Sequence, residues 1–202
     1  GAEESLDENI ITSATAPFDP EGGIRLVQGN LGKAVVKVST VASEHRIIEA
    51  PAIVFDDPDE ILEAFQRKEL NKDFIAVVRF QGPKAKGMPE LHNLTPSLSI
   101  LQHNGFKVAL VTDGRMSGAS GKVPAAIHVS PEAADGGLLP RLQNGDPLRL
   151  DCESGVLTCL NEAEVAQRNP VETPAPAVGS GRELFNNVRS LISTSESGAT
   201  IF

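Results

Sequence analysis

Hydrophobic residues in this chain fall into short runs separated by polar, glycine-rich stretches. Positions 34–41 are β-branched with partial alternation and predict a strand, and 45–55 reads as a second extended stretch punctuated by Pro51. Asp57-Pro58-Asp59-Glu60 opens a helix: a capping aspartate, a proline suited to the first turn, and an acid where a capping box places it. Ile61, Leu62, Ala64 and Phe65 give that helix one apolar face. Positions 74–80 and 106–111 are near-continuous apolar runs, the pattern of strands covered on both faces. Between them Leu94, Leu98 and Leu101 recur at helical spacing, and Asn104-Gly105 stops the helix. The order is a βαβ rhythm, whose right-handed crossover puts both strands in one sheet.

Further along, 125–129 predicts a strand, 130–134 a turn or helix start, and 144–147 a turn. Strands at 148–152 and 156–160 flank Glu153-Ser154-Gly155, and Asn161 starts a short helix. Leu184, Phe185, Val188, Leu191 and Ile192 make an amphipathic helix that needs an apolar surface to dock on. The pattern predicts a strand-rich α/β domain with peripheral helices at 24–168. An acidic N-terminal arm or linker at 1–23 precedes it, and a proline-bearing linker with the helix follows at 169–202.

The chain has 202 residues and is 40% apolar, enough for a real core. A net charge of −9 and the absence of Trp and Tyr argue against a nucleic-acid partner, which wants basic surface and stacking aromatics. No apolar run approaches the ~20 residues of a membrane helix. The two cysteines, Cys152 and Cys159, flank a predicted hairpin without metal-site spacing and read as reduced thiols of a cytoplasmic protein.

Chemistry concentrates in two loops that follow the buried runs. One is Gln81-Gly82-Pro83-Lys84-Ala85-Lys86-Gly87-Met88-Pro89-Glu90-Leu91; the other runs from Asp113 to Lys122 through Gly114, Arg115, Met116, Ser117, Gly118 and Gly121. Glycine N–H groups in such a loop form a concavity for an anion, and Arg115 and Lys122 add positive charge. In open α/β sheets the loops after strand C-termini line the ligand crevice, which would let Glu90 and Ser117 meet. Glu90 is a hard oxygen donor able to ligate Mg²⁺, but it is one carboxylate only. No pattern selects His45, His92, His103 or His128 as a partner for Ser117, and a strand position makes His128 a core histidine. A glycine-rich turn with solvated charges explains the same residues equally well.

With both loops in view, the chain resembles the C-terminal domain of the dihydroxy-acid/6-phosphogluconate dehydratase family. The resemblance rests on Gly29-Asn30-Leu31-Gly32, Pro51-Ala52-Ile53-Val54-Phe55, Arg79-Phe80-Gln81-Gly82-Pro83-Lys84, Gly87-Met88-Pro89-Glu90, Thr112-Asp113-Gly114-Arg115-Met116-Ser117-Gly118 and His128-Val129-Ser130-Pro131-Glu132-Ala133. Residues 117–128 look like the 6-phosphogluconate branch. The resemblance implies a swivelling β/β/α-type fold and a cytoplasmic, homodimeric hydro-lyase. Its substrate would be a sugar-acid phosphate, converted to a 2-keto-3-deoxy acid in the Entner–Doudoroff pathway. It further implies Ser117 as the base and Glu90 as a Mg²⁺ ligand. By charge and place in the loop, Arg115, Gly118 and Lys122 are the substrate-binding candidates, with Arg115 toward the carboxylate end and Lys122 toward the phosphate. An iron–sulfur cluster would be held by an N-terminal, cluster-bearing domain that this chain does not contain. A dihydroxy-acid or unphosphorylated sugar-acid dehydratase, or a noncatalytic anion-binding or assembly module, are the other readings.

Overall fold

The computed structural model describes residues 5–20, 22–117, 121–176 and 178–202. Eight strands form a closed barrel: β1 (Ile24–Gly29), β2 (Gly32–Lys37), β3 (Ile47–Phe55), β4 (Phe74–Val78), β5 (Val108–Thr112), β6 (Ala125–Ser130), β7 (Pro147–Asp151) and β8 (Val156–Cys159). Their order around the barrel is β1-β2-β6-β5-β4-β3-β7-β8. The α/β class and the peripheral helices match the reading of the sequence. The open crevice does not: the parallel β3-β4-β5-β6 stretch is closed by antiparallel pairs on either side. One parallel contact, Gln28 with Val156, joins β1 to β8.

Closure follows from how the residues divide between faces. Val27, Val36, Ile48, Ile75, Val77, Val111 and Leu150 fill the barrel interior. A second core lies outside it, where α1 (Pro58–Gln66) and α2 (Thr95–His103) cover Phe74, Ala76, Val78, Val108 and Leu110. All five residues of both β4 and β5 are therefore buried, which is why they read as unbroken apolar runs. A nine-residue helix such as α2 is marginal alone. Leu94, Leu98 and Leu101, each buried at about 1.5–3 kcal/mol, hold it to the sheet. At α1 the expected cap is present: Asp57 accepts from the Asp59 N–H at 3.0 Å.

Strand β1 is absent from the sequence-based reading, because its apolar residues do not keep one face. Val27 points inward, whereas Ile24 and Leu26 are exposed. The β1–β2 turn is held from a distance: Asn30 donates to the Cys159 carbonyl at 2.8 Å and accepts from the Cys159 N–H at 2.7 Å. The helix expected near the C-terminus shortens to a 3₁₀ turn (Arg182–Phe185) followed by one short α-helix (Asn186–Leu191). Leu184, Phe185 and Leu191 on it are exposed, so the described residues supply no apolar surface against them.

Both cysteines lie inside. Cys152 belongs to the barrel core, and burial, with Asp151 adding to it, pushes its thiol up to about 12. Cys159 Sγ donates a hydrogen bond to Asn161 Oδ1 at 3.0 Å. Neither thiol should react with an aromatic disulfide reagent at pH 8 while the chain is folded, and both should react once it is unfolded in guanidinium. Rapid labelling of the folded protein would contradict this packing.

Candidate functional site

The four parallel strands end together, and each hands over to a charged residue: Asp56, Arg79, Asp113 and, just past β6, Glu132. Arg79 is buried, bonded through Nε to Asp56 at 2.6 Å and through Nη1 to both the Pro140 and Leu142 carbonyls. Asp113 is fully buried. Its Oδ1 accepts from the Gln81 N–H at 2.8 Å, and its Oδ2 from the N–H groups of Phe80 at 3.1 Å and Ala133 at 2.9 Å. Burial raises the carboxyl above the usual carboxylate range, against the opposing pull of those three donors. The same contacts hold Phe80 at φ +62°, a left-handed backbone unusual for a bulky residue. Glu132, also buried, accepts from the Lys84 N–H at 2.9 Å and the Ala85 N–H at 3.3 Å. A Cβ at Gly82 would stand 2.0 Å from Glu132 Oε2, so position 82 must be glycine for this acid to reach the loop.

With the loop bases fixed, the two chemistry-bearing loops run side by side. Glu90 and Arg115 form a single parallel β-bridge, and the Leu91 N–H donates to the Arg115 carbonyl at 3.1 Å. Glu90 Oε1 accepts from the Ser117 N–H at 2.7 Å and the His92 N–H at 3.1 Å. Its Oε2 accepts from Arg115 Nη1 at 3.0 Å, while Arg115 Nε donates to the Met88 carbonyl at 2.8 Å. The ion pair is half exposed and worth at most about 1 kcal/mol. Its value is in orientation: three donors from two loops converge on one carboxylate.

Beside Ser117 lies a cleft on the outer face of β2 and β6, lined by Lys37, Met116, Ser117, Val123, Ala125 and Ile127. The returning leg of the loop is pinned there, since Thr40 Oγ1 donates to the Gly121 carbonyl at 2.6 Å. His128 sits on the same outer face at φ +58°, half-buried, with its N–H on the Gly114 carbonyl at 2.9 Å. The irregularity in the β2–β6 register lies here, which is why this histidine is not the core residue its strand position suggested. Burial first, and the positive charge of Arg115 second, lower its imidazole below the ordinary value.

The chain's residues 9–199 match the dihydroxy-acid/6-phosphogluconate dehydratase C-terminal family. The chain belongs to that family. Over its whole length it is 56% identical to phosphogluconate dehydratase of Pseudomonas aeruginosa, and over 99% of its length 53% identical to that of Escherichia coli K12. It is also 36% identical over 97% of its length to dihydroxy-acid dehydratase of Wolinella succinogenes. It spans about a third of the length of each of these relatives: 34%, 34% and 35%.

For this dehydratase family member, the motif residues far apart in sequence converge on one end of the barrel. The structure joins Glu90, Arg115 and Ser117 directly. Lys122 is exposed on the α2 side, its carbonyl taking a hydrogen bond from Gln102 at 3.2 Å, and it is not among the residues lining the cleft. Gly118 lies outside the described residues. Asp113, Glu132 and Lys37 were missed by the sequence reading. A buried run ending in Thr112-Asp113 was a signal for the first; nothing local pointed to Lys37.

The implied cofactors fit unequally. Among the described residues no three His, Cys, Asp or Glu side chains cluster to hold a metal. An iron–sulfur cluster does not fit here, because both cysteines are enclosed in the barrel at its β7–β8 side. Mg²⁺ fits only in part: Glu90 Oε2, already shared with Arg115, can add one oxygen to ligands from elsewhere.

Asp113→Asn replaces one carboxylate oxygen with an NH₂ that faces N–H donors. It should lower unfolding stability by about 1–3 kcal/mol, read as a reduced midpoint in urea. An unchanged midpoint would show that Asp113 does not organise this end of the barrel.

Proposed function

We propose that the chain is the C-terminal part of a cytoplasmic hydro-lyase that converts 6-phospho-D-gluconate to 2-dehydro-3-deoxy-6-phosphogluconate in the Entner–Doudoroff pathway. Ser117 is its base. One observation carries the reading: Ser117 is fixed through its own N–H to Glu90 at 2.7 Å, at the mouth of a cleft of mostly apolar walls. Identity of 56% and 53% to two phosphogluconate dehydratases, against 36% to a dihydroxy-acid dehydratase, favours the phosphorylated substrate. Two buried, unpaired thiols accord with a reducing compartment.

In this reading Ser117 Oγ takes the proton from C2 of the sugar acid. The C–H electron pair becomes the C2–C3 double bond, the 3-hydroxyl departs and is protonated to water, and the enol that remains tautomerises to the 2-keto acid. Glu90 keeps the Ser117 main chain at a set distance, and Arg115 holds Glu90. A Mg²⁺ bound with Glu90 among its ligands would act as a Lewis acid toward the substrate's carboxylate end. An iron–sulfur cluster would draw its ligands from outside the described residues, whose two cysteines are enclosed in the barrel. Its holder is an N-terminal, cluster-bearing part of the same polypeptide. The exposed apolar pair Ile24 and Leu26, beside Val35 and Ile127 on the barrel's outer face, suits contact with that part.

In the complete enzyme Ser117→Ala should lower kcat by about 10²–10⁴-fold with an unchanged cluster absorbance. Near-normal turnover of this variant on 6-phosphogluconate would remove Ser117 from the mechanism.

A further inference from the structure

If 6-phosphogluconate is the substrate, as the preceding reading has it, a phosphate dianion must be held at the far end of a six-carbon chain whose carboxylate lies by Glu90. Such a group asks for guanidinium or ammonium donors. Lys122, the candidate by sequence, sits toward α2 and outside the cleft beside Ser117. That cleft is also small, about 40 Å³, room for a few waters and not for a sugar-acid phosphate.

A larger cavity of about 580 Å³ opens on the other flank of the loop after β4. Its volume falls in the range of roughly 300–1,000 Å³ usual for small-molecule sites. One wall is Asp56 and Asp57, at the end of β3, and a second is Phe80, Lys86 and Pro89. Pro89 immediately precedes Glu90, so that wall lies one Cα step, about 3.8 Å, from the residue that holds Ser117. The remaining wall comes from the C-terminal segment and includes Arg182 and Arg189.

Periodicity puts both arginines on that wall. Arg182 opens the 3₁₀ turn and Arg189 lies in the short helix that follows, about two turns on, so they share a face. Leu184, Phe185 and Leu191 are exposed instead. The segment therefore presents basic groups, rather than its apolar face, to the cavity. Three acids line the same space: Asp56, Asp57 and Glu60. Asp56 is neutralised by Arg79 at 2.6 Å, and Asp57 Oδ1 is occupied as the cap of α1. Glu60 is exposed on the first turn of that helix. Glu183, beside Arg182, is turned back onto the Gly179 N–H. Lys86 Nζ stands 3.8 Å from Asp57 Oδ2, beyond hydrogen-bond length. With Asp56 paired, Lys86, Arg182 and Arg189 outnumber the acids that remain.

We infer that this cavity is the phosphate subsite: Arg182, with Arg189 and Lys86, binds the phosphate monoester of the sugar acid, whose carboxylate end lies across the loop by Glu90. A guanidinium fork matches two phosphate oxygens at once, which a lone ammonium cannot do. Preference for the phosphorylated acid thus resides in the C-terminal segment, outside the two loops that carry Glu90 and Ser117.

The test compares 6-phosphogluconate with gluconate in the complete enzyme carrying Arg182→Gln, Arg182→Lys or Arg189→Gln. Arg182→Gln should lower kcat/KM for 6-phosphogluconate about 10–100-fold, the range for one charge-assisted pair, and leave gluconate within about twofold of the parent. Arg182→Lys should recover part of that loss, since it keeps the charge without the fork. Arg189→Gln should lose kcat/KM on the phosphorylated substrate alone. Inorganic phosphate, used as a competitive inhibitor, should need about 10–100-fold more to inhibit Arg182→Gln, and this carries the comparison if gluconate turns over too slowly to follow. Unchanged kcat/KM of Arg182→Gln on 6-phosphogluconate, equal losses on both substrates, or unchanged inhibition by phosphate would each overturn the subsite. A parent enzyme unable to turn over 6-phosphogluconate would instead overturn the substrate reading, so the two failures are distinguishable.

Discussion

The arrangement at the working end of the barrel depends on one buried carboxylate. Asp113 takes three main-chain N–H groups, two from the loop after β4 and one from the turn after β6. Three segments that the strands deliver to the same rim are thereby drawn to a single point. An unpaired N–H in that dry setting is costly, so each segment has little freedom to leave. The price is a charge disfavoured by burial and a phenylalanine at positive φ. Everything outward of this point inherits its order: the Arg115 bridge, the three donors on Glu90, and Ser117.

Much of the interior was legible in the sequence. Residues of β4 and β5 are buried on both faces, and an unbroken apolar run is the direct image of that. The Asp57 cap and the leucines of α2 act within a few residues, so local pattern suffices to find them. Barrel closure was not legible. It rests on β1, whose alternation is spoiled by Ile24 and Leu26 facing outward, and on one pair with β8 about 130 positions away, Gln28 with Val156. No local rule encodes a contact of that separation.

The site divides the same way. Ser117 and Arg115 share a loop, and Glu90 ends the preceding glycine-rich stretch, so two strand ends side by side were enough to bring them together. Lys37 arrives from a strand whose neighbour in space, β6, lies some ninety residues further along. His128 was misjudged for a related reason. A register irregularity turns it to the outer face and into the influence of Arg115, and periodicity cannot signal where a strand will bulge.

The fit between Gly82 and Glu132 has a consequence for how this loop can vary. The acid fills the volume a side chain at 82 would need, and it satisfies the N–H groups of Lys84 and Ala85 in doing so. Neither position is free to drift alone: a Cβ at 82 would also stand 2.8 Å from Glu132 Cβ, so a larger residue at 82 needs the side chain at 132 removed, and that exchange strands the loop's donors. The two sites, fifty residues apart, therefore form one unit of epistasis, and any library that diversifies the loop after β4 has to vary the turn after β6 with it.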